Sequence, residues 1–511
     1  MHELSEAGLL DEFFHFMEQL GVMEVIGKMD LAGVPRVLIP VVQFVLLYML
    51  KGLLGIASMN ALPRLLFSNV GLMQMIGFNA TQVANGMTHR GDGQRKTKRK
   101  QGPLSAQCLA QNICLLTQEQ MEWFFNQIVK LLVGARFVQG KLLVALDGSK
   151  LPTPESYEGR GCLKVSEQVK PKGSSEKVTV EKLIYGWKVL VLIEVQTRLP
   201  LAMKIVPIQA YEGQYLLPFV EQAQANLGAH AHMVKIVIDR GYLDGEDLWQ
   251  LNERGIIFVV VAKAGMAVAE DARSLASRAK AVTRERVIRH GHGAKATTET
   301  VRTRLVGIEA LTTYDAYGSE EHTKQQYRRD FEGHALNAVV VRTWNNRTPT
   351  EGGTVYLTNG PVSDPFVVFD DYDWRSVIEN GIFKEGKHPW YLGCFPQKNE
   401  AAVVVHCFFT LSVMALCTAF RLWQVQGAPE LGETSAPAAS LSSALLQGEG
   451  TLRWRQRLKE ENRDKVIIFV GEVYGIFHLA ELAVLTGMRL SLLPSHLGSR
   501  QDILSRFGLS P

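Results

Sequence analysis

From residue 141 onward the chain reads as β-rich runs followed by strand–helix alternation, and that order restricts the fold more than any other feature. KLLVALD, LIYGWKVLVLIEVQ and PLAMKIVPI are three β-rich runs separated by turn signals. EGQYLLPFVEQAQANLG then carries a helical pattern, MVKIVID a strand, LDGEDLWQLNERG a helix and IIFVVVAK a strand. The order implies an α/β fold, a mixed sheet with flanking helices.

The flanks read differently. Residues 1–135 form a helical N-terminal region, with apolar residues at helical spacing through 41–75 and 105–133. Thr117 before QEQMEWFF is the expected N-cap. RGDGQRKTKRKQGP divides this region as a loop or mobile arm. Residues 136–263 and 354–424 hold the two parts of the sheet domain. Between them, residues 264–353 read as an inserted, mainly β subdomain with strands near 299–306 and 337–344. TVYLTN at 354–359 is expected to return to the main sheet, ahead of an amphipathic helix in YDWRSVIENGIFKEGK. A Pro/Ala/Ser-rich linker (425–450) precedes a small C-terminal module (451–511) that opens on LRWRQRLKEENRDK and continues with the β-like VIIFVG. There is no internal repeat.

Two apolar runs raise a membrane reading. VLIPVVQFVLLYML (37–50) is too short to span before Lys51 interrupts it. AAVVVHCFFTLSVMALCTAF (401–420) is long enough, but it contains His406 and small polar residues, so a buried helix backing a sheet is expected and no membrane partner. Six cysteines without a CxxC pair predict neither a disulfide framework nor a zinc site and fit a reducing compartment. The acidic start MHELSEAGLLDEFF lacks a signal peptide's pattern.

Net charge is only +4, yet the basic residues cluster. Residues 88–103 carry Arg90, Arg95, Lys96, Lys98, Arg99 and Lys100 against Asp92 alone. Residues 272–305 carry nine Arg and Lys residues, from Arg273 to Arg304, against Glu285 and Glu299. Such patches can neutralise phosphates, and they can equally be solvated faces.

Three acids stand out. Asp147 closes KLLVALD, Asp239 closes MVKIVID, and Glu379 lies in the amphipathic helix after TVYLTN. Carboxylates beside buried strands are costly unless paired, and hard oxygen ligands suit a divalent cation such as Mg²⁺. Strand-end aspartates also begin ordinary turns. The helix is more specific: Tyr372, Arg375 and Glu379 are spaced by three and four and share one face. Lys387, eight positions beyond Glu379, falls within reach of that face on an ideal helix. An Arg–Glu pair at that spacing is also a common solvated contact. Arg240 and Lys150 could meet phosphate or pair with an acid. Asp370, Asp371 and Asp373 could substitute for Glu379 as ligands, but they lie just before or at the start of the same helix, where acids are ordinary dipole complements. GARFVQGK at 134–141 has five residues between its glycines and precedes a strand, so it is no phosphate loop and ATP use is not expected.

Taken together, ALDGSK around Asp147, VIDRGY around Asp239 and the Tyr372–Arg375–Glu379 helix resemble the DDE transposases of bacterial insertion sequences, in the branch with a Tyr-x2-Arg-x3-Glu-x6-Lys signature. The resemblance covers about 141–420 and departs at its last position, where Gly386 replaces the signature Lys between Lys384 and Lys387. It implies an RNase H-like sheet interrupted by the β-rich insertion. It implies Asp147, Asp239 and Glu379 as catalytic ligands of two Mg²⁺ ions, with Mn²⁺ as a substitute. The partners it implies are the element's terminal inverted repeats and target DNA, bound by a homodimer. Tyr372, Arg375 and Lys387 would position end phosphates. Trp344 would stack on a flipped base, or else is a buried core Trp. Charge and position make the helical 1–135 region, with Arg95, Lys96, Lys98, Arg99 and Lys100, the candidate for end binding. The expected location is the bacterial cytoplasm, on the nucleoid.

Overall fold

The computed structural model describes residues 8–31, 39–79, 82–83, 103–169, 178–290, 297–318, 336–345, 348–349, 353–427, 465–470 and 473–478. They belong to two compact units. The first draws on 1–131, 156–159 and 385–511, and the second on 132–155 and 160–384.

The first unit is helical, around the 28-residue helix Glu400–Gly427. That helix is long and apolar enough to cross a membrane, yet most of its length is buried within the unit. Phe409 meets Phe124 with ring centroids 5.5 Å apart, and Phe420 meets Phe13 and Phe16 at 5.4 Å. Its one imidazole, buried His406, is fully satisfied: Nδ1 accepts from Tyr48 Oη at 2.8 Å and Nε2 donates to the Tyr391 carbonyl at 2.9 Å. Burial, helped by the positive charge of Lys51 and opposed by the Tyr391 carbonyl, lowers its pKa to about 3, so it stays neutral.

Helix Gln118–Gly134 begins as its sequence predicts. Thr117 Oγ1 accepts from Gln120 N at 3.3 Å, and Gln120 Oε1 accepts from Thr117 N at 3.0 Å, a reciprocal capping box. Thr117→Ala is expected to cost about 1 kcal/mol, read as a lower melting midpoint, while Thr117→Ser is near neutral. Equal midpoints for all three proteins would remove the cap from the account. The C-terminal β-like run forms a hairpin, β12 (Lys465–Val470) against β13 (Val473–His478).

The second unit is built on an 11-stranded mixed sheet. Its core comprises β1 (Gly140–Thr153), β3 (Val178–Glu194), β4 (Pro200–Pro207), β5 (Ala231–Ile238) and β6 (Ile257–Val261). β3 pairs antiparallel with β1 and β4, whereas β5 runs parallel to β1 and β6 parallel to β5. The order β4-β3-β1-β5-β6 is the RNase H-like sheet that the resemblance implies. Its parallel strands are apolar because they are buried: Ile236, Val237, Ile238, Phe258, Val259 and Val260 are all in the core. Helices Leu216–Leu227 and Gly245–Glu253 make the crossovers, the second capped by Asp244 on Glu246 N and Asp247 N.

β2 (Gly161–Val169) lengthens the same sheet, pairing with the first half of β3. Residues 264–353 supply helix Ala267–Ala276 and strands β7 (Val282–His290), β8 (Thr297–Ile308), β9 (Asn337–Asn345) and β10 (Thr348–Pro349). These strands do not form a sheet of their own. β11 (Thr354–Thr358) pairs antiparallel with both β6 and β9, so the order continues β6-β11-β9-β8-β7. The physical reason is the open edge of β6, whose backbone donors and acceptors β11 takes up, leaving its own far edge for β9.

Candidate active site

Asp147 does not end its strand. β1 continues to Thr153, with Asp147 opposite Val191 of β3. The strand that ends there is the neighbour: β1 and β5 pair only as far as Leu146↔Ile238, after which Asp239 turns the chain into Arg240–Tyr242. The two aspartates thus occupy the same level on adjacent parallel strands, one residue past the last pair. Beyond that point β1 has no strand on its β5 side.

The third acid arrives on a helical segment less regular than its sequence predicts. Helix Pro365–Asp373 is capped by Asp364 on Phe366 N at 3.1 Å. Next come Arg375–Val377 and a π-helical stretch, Ile378–Lys384. Asp370, Asp371 and Asp373 therefore sit in the last turn of a helix, not its first, and the expected dipole role is corrected. Asp370 instead accepts a bidentate contact from Arg284 of β7 at 2.7–3.0 Å, and Asp371 pairs with Lys235 of β5. Tyr356 of β11 packs on Tyr372 with centroids 4.8 Å apart. These three contacts clamp the helix to one face of the sheet and fix where Arg375 emerges.

Arg375 is the hub of the site. Its Nη1 donates to Asp147 Oδ2 at 2.8 Å and lies 3.5 Å from Glu379 Oε1, and its guanidinium stands 5.8 Å from the Tyr372 ring centroid. The shared face predicted for Tyr372, Arg375 and Glu379 is therefore present. Burial works against the charge of Arg375, but Asp147, Tyr372, Asp239 and Glu379 more than offset it and raise its pKa. Asp147 is buried, and burial pushes its carboxyl up to about 6. Arg375 and the Gly148 N–H, at 2.8 Å from Oδ1, pull it down, while Asp239 and Glu379 push it up further. Asp239 and Glu379 thus both act electrostatically on Asp147.

Do these residues fit a metal? Three carboxylates face that region against one guanidinium, and every donor is a hard oxygen, the set preferred by Mg²⁺ and similar ions. Two polar atoms there are buried without partners, Arg375 Nε and Tyr242 Oη. Burial and the negative charges of Glu212, Asp147 and Asp239 raise the Tyr242 pKa well above its usual value. The charge imbalance fits a site completed by a cation, whereas the orphaned Arg375 Nε is a donor and calls for an acceptor oxygen. In the conformation described, Arg375 is the bridge: the Glu379 carboxylate is exposed, and no three His, Cys, Asp or Glu side chains form a ready cage among the described residues.

A fourth acid, Glu212, carries no mark of its own in the sequence. It accepts from Lys188 Nζ at 2.8 Å, and the same ammonium donates to the Ala210 carbonyl at 2.9 Å. A Cβ on Gly148 would lie 3.4 Å from the Glu212 carboxyl and 2.6 Å from Leu190 Cδ2, so glycine after Asp147 is what admits both. The available signal was Lys188 inside the apolar run of β3, since a buried lysine requires an acid or carbonyl partner.

The other expected residues are dispersed. Arg240 is exposed beside Asp239, and Lys150 is exposed on β1. Lys387 lies in Glu385–Lys387 of the first unit, where burial lowers its pKa. The intervening π stretch removes the ideal-helix basis for aligning it with Glu379. Gly386 is buried, and a Cβ there would stand 3.3 Å from Leu392 Cδ2, so a side chain at this position would require Leu392 to shift. Trp344 is half-buried on β9, opposite Arg302, with β6 and β11 between its strand and that of Asp239. Arg95, Lys96, Lys98, Arg99 and Lys100 lie outside the described residues.

A family model described as "Transposase DDE domain" matches residues 139–416. Among solved structures, a cryo-EM structure of the piggyBac transposase synaptic complex with hairpin DNA is similar, with a TM-score of 0.40 and 10% identity over 88% of this chain and 81% of that chain. No curated protein matches the sequence.

Proposed function

Because the chain belongs to the transposase DDE-domain family, we propose that it cuts DNA at the ends of an insertion sequence and joins the freed 3′-hydroxyls to target DNA, with Asp147, Asp239 and Glu379 as the catalytic acids. The observation that carries this reading is the meeting of Asp147 and Asp239 at one level of the sheet with Arg375 and Glu379 delivered onto them. The family generally uses divalent metal ions, and the three carboxylates would hold Mg²⁺ here, two ions by preference. Bound there, the metal supplies Lewis acidity for the attacking water or 3′-hydroxyl and for the leaving oxygen.

The chain's own residues supply position and charge. The sheet holds Asp147 in a rigid, buried place, whereas Glu379 on its exposed helical turn is free to close on the site. Arg375 sets its charge against Asp147 and Glu379, and its fork would suit a DNA-end phosphate beside Tyr372. Arg240, exposed next to Asp239, would meet the same strand. The two ends are handled by a homodimer acting on the nucleoid in a bacterial cytoplasm.

The test uses the purified full chain, Mg²⁺ and a DNA fragment bearing the inverted repeats that flank the gene. The expected products are 3′-hydroxyl cuts at the repeat ends and strand-transfer species. Specific binding of the repeats without any cut, in Mg²⁺ or Mn²⁺, would reject the catalytic reading and leave a DNA-binding protein.

A further inference from the structure

The two faces of the β7–β8–β9 sheet treat their arginines in opposite ways. On the face that carries helix Pro365–Asp373, Arg284 lies 3.9 Å over the Phe366 ring and is neutralised by Asp370, and Arg286 acts electrostatically on Asp373. On the other face the register sets Arg304 directly opposite Arg342, and Arg302 directly opposite Trp344. Neither Arg304 nor Arg342 makes an ion pair among the described residues. Like charges directly opposite one another in a sheet repel. These two also line a cavity of about 150 Å³, with Ser277 at its rim and Val306 and Val340 as its floor. An apolar floor cannot neutralise them. Arg302 pairs with Glu285, but both are well exposed, and such a pair is weak and screened.

We infer that Arg304 and Arg342 form a phosphate-binding site for the DNA backbone on the β8–β9 face, separate from the three acids. The inference rests on the transposase reading for its choice of DNA as the anion. Two guanidinium forks side by side, each half-exposed at a cavity mouth, match a phosphodiester and its neighbour. Arg302 extends the charge along the same face, and half-buried Trp344 beside it offers a flat apolar surface. Contacts of this kind hold and orient the duplex without reading its sequence.

The experiment measures binding of the full chain to a random-sequence duplex over a salt series. Each phosphate contact contributes about 0.9 to the slope of log K against log salt, so Arg304→Gln/Arg342→Gln should lower the slope by roughly 1.8 and weaken binding at every salt. A double variant with the wild-type slope overturns the inference. A wild type that binds no DNA would instead reject the transposase reading itself. The second measurement needs no variant: phenylglyoxal labelling of the wild type, located by mass spectrometry. DNA should protect Arg304 and Arg342. Equal labelling with and without DNA overturns the inference. So does equal protection by inorganic phosphate at the same phosphate concentration, which would make this a free-anion site.

Discussion

Asp147→Asn is expected to lower end cleavage and strand transfer by about 10³-fold or more, leaving binding to the element's ends largely intact. A loss of that size is about 4 kcal/mol of transition-state stabilisation at roughly 1.36 kcal/mol per tenfold. The amide keeps the shape of the side chain and one oxygen to accept from Arg375 or Gly148, so the fold has no reason to change. It removes the carboxylate charge on which cation binding would depend. Glu379→Gln is expected to act in the same way from the opposite side of the site. The two defects should not multiply, because residues serving one centre are non-additive. Cleavage assays with equal amounts of bound DNA give the comparison. Full activity in either variant would remove that residue from the catalytic set.

The second large effect concerns stability and has the opposite sign. Burial raises the Asp147 carboxyl from 3.8 to about 6 in the folded protein. For an acid raised on folding, the native state binds the extra proton, so its contribution to stability is complete below about 4. It is lost as pH rises through about 6 and stays lost above. A shift of about two units is on the order of 3 kcal/mol. In the absence of divalent metal, Asp147→Asn should therefore melt several degrees above wild type at about pH 8, and the two should converge near pH 4. Added Mg²⁺ should raise the wild-type midpoint at about pH 8 and move the variant far less, since the cation replaces the missing countercharge. A variant less stable than wild type under alkaline, metal-free conditions would show that Asp147 is not strained. Together the two results would describe one design: a buried carboxylate that costs stability by itself and serves function with a cation beside it.

The strand–helix order from 141 to 263 was legible because buried parallel strands are near-continuous apolar runs and their crossovers have helical periodicity. The cap at Thr117 announced itself by residue type. The Tyr372–Arg375–Glu379 face was legible because three- and four-residue spacings are local. The chain's path beyond Glu379 was not, because nothing in IENGIFK marks the π stretch. β2 went unread because GCLKVSEQV alternates apolar and polar residues too weakly to stand apart from a loop. Glu212 and Lys188 are 24 residues apart and form one pair only through the sheet.

The sequence by itself determined which residues could do chemistry: three carboxylates on two strands and a helix, with an arginine in phase with the last. Residue type and local spacing suffice for that. Only the tertiary structure decided how they meet. β5 stops one residue before Asp239 while β1 runs on past Asp147, and the helix is clamped to the sheet by Asp370, Asp371 and Tyr372 so that Arg375 reaches Asp147. It also decided that β7, β8 and β9 extend the main sheet and set Arg304 opposite Arg342. Strand pairing and register join residues far apart in sequence, and the energy that selects one register comes from burial of whole faces rather than from any one segment's composition.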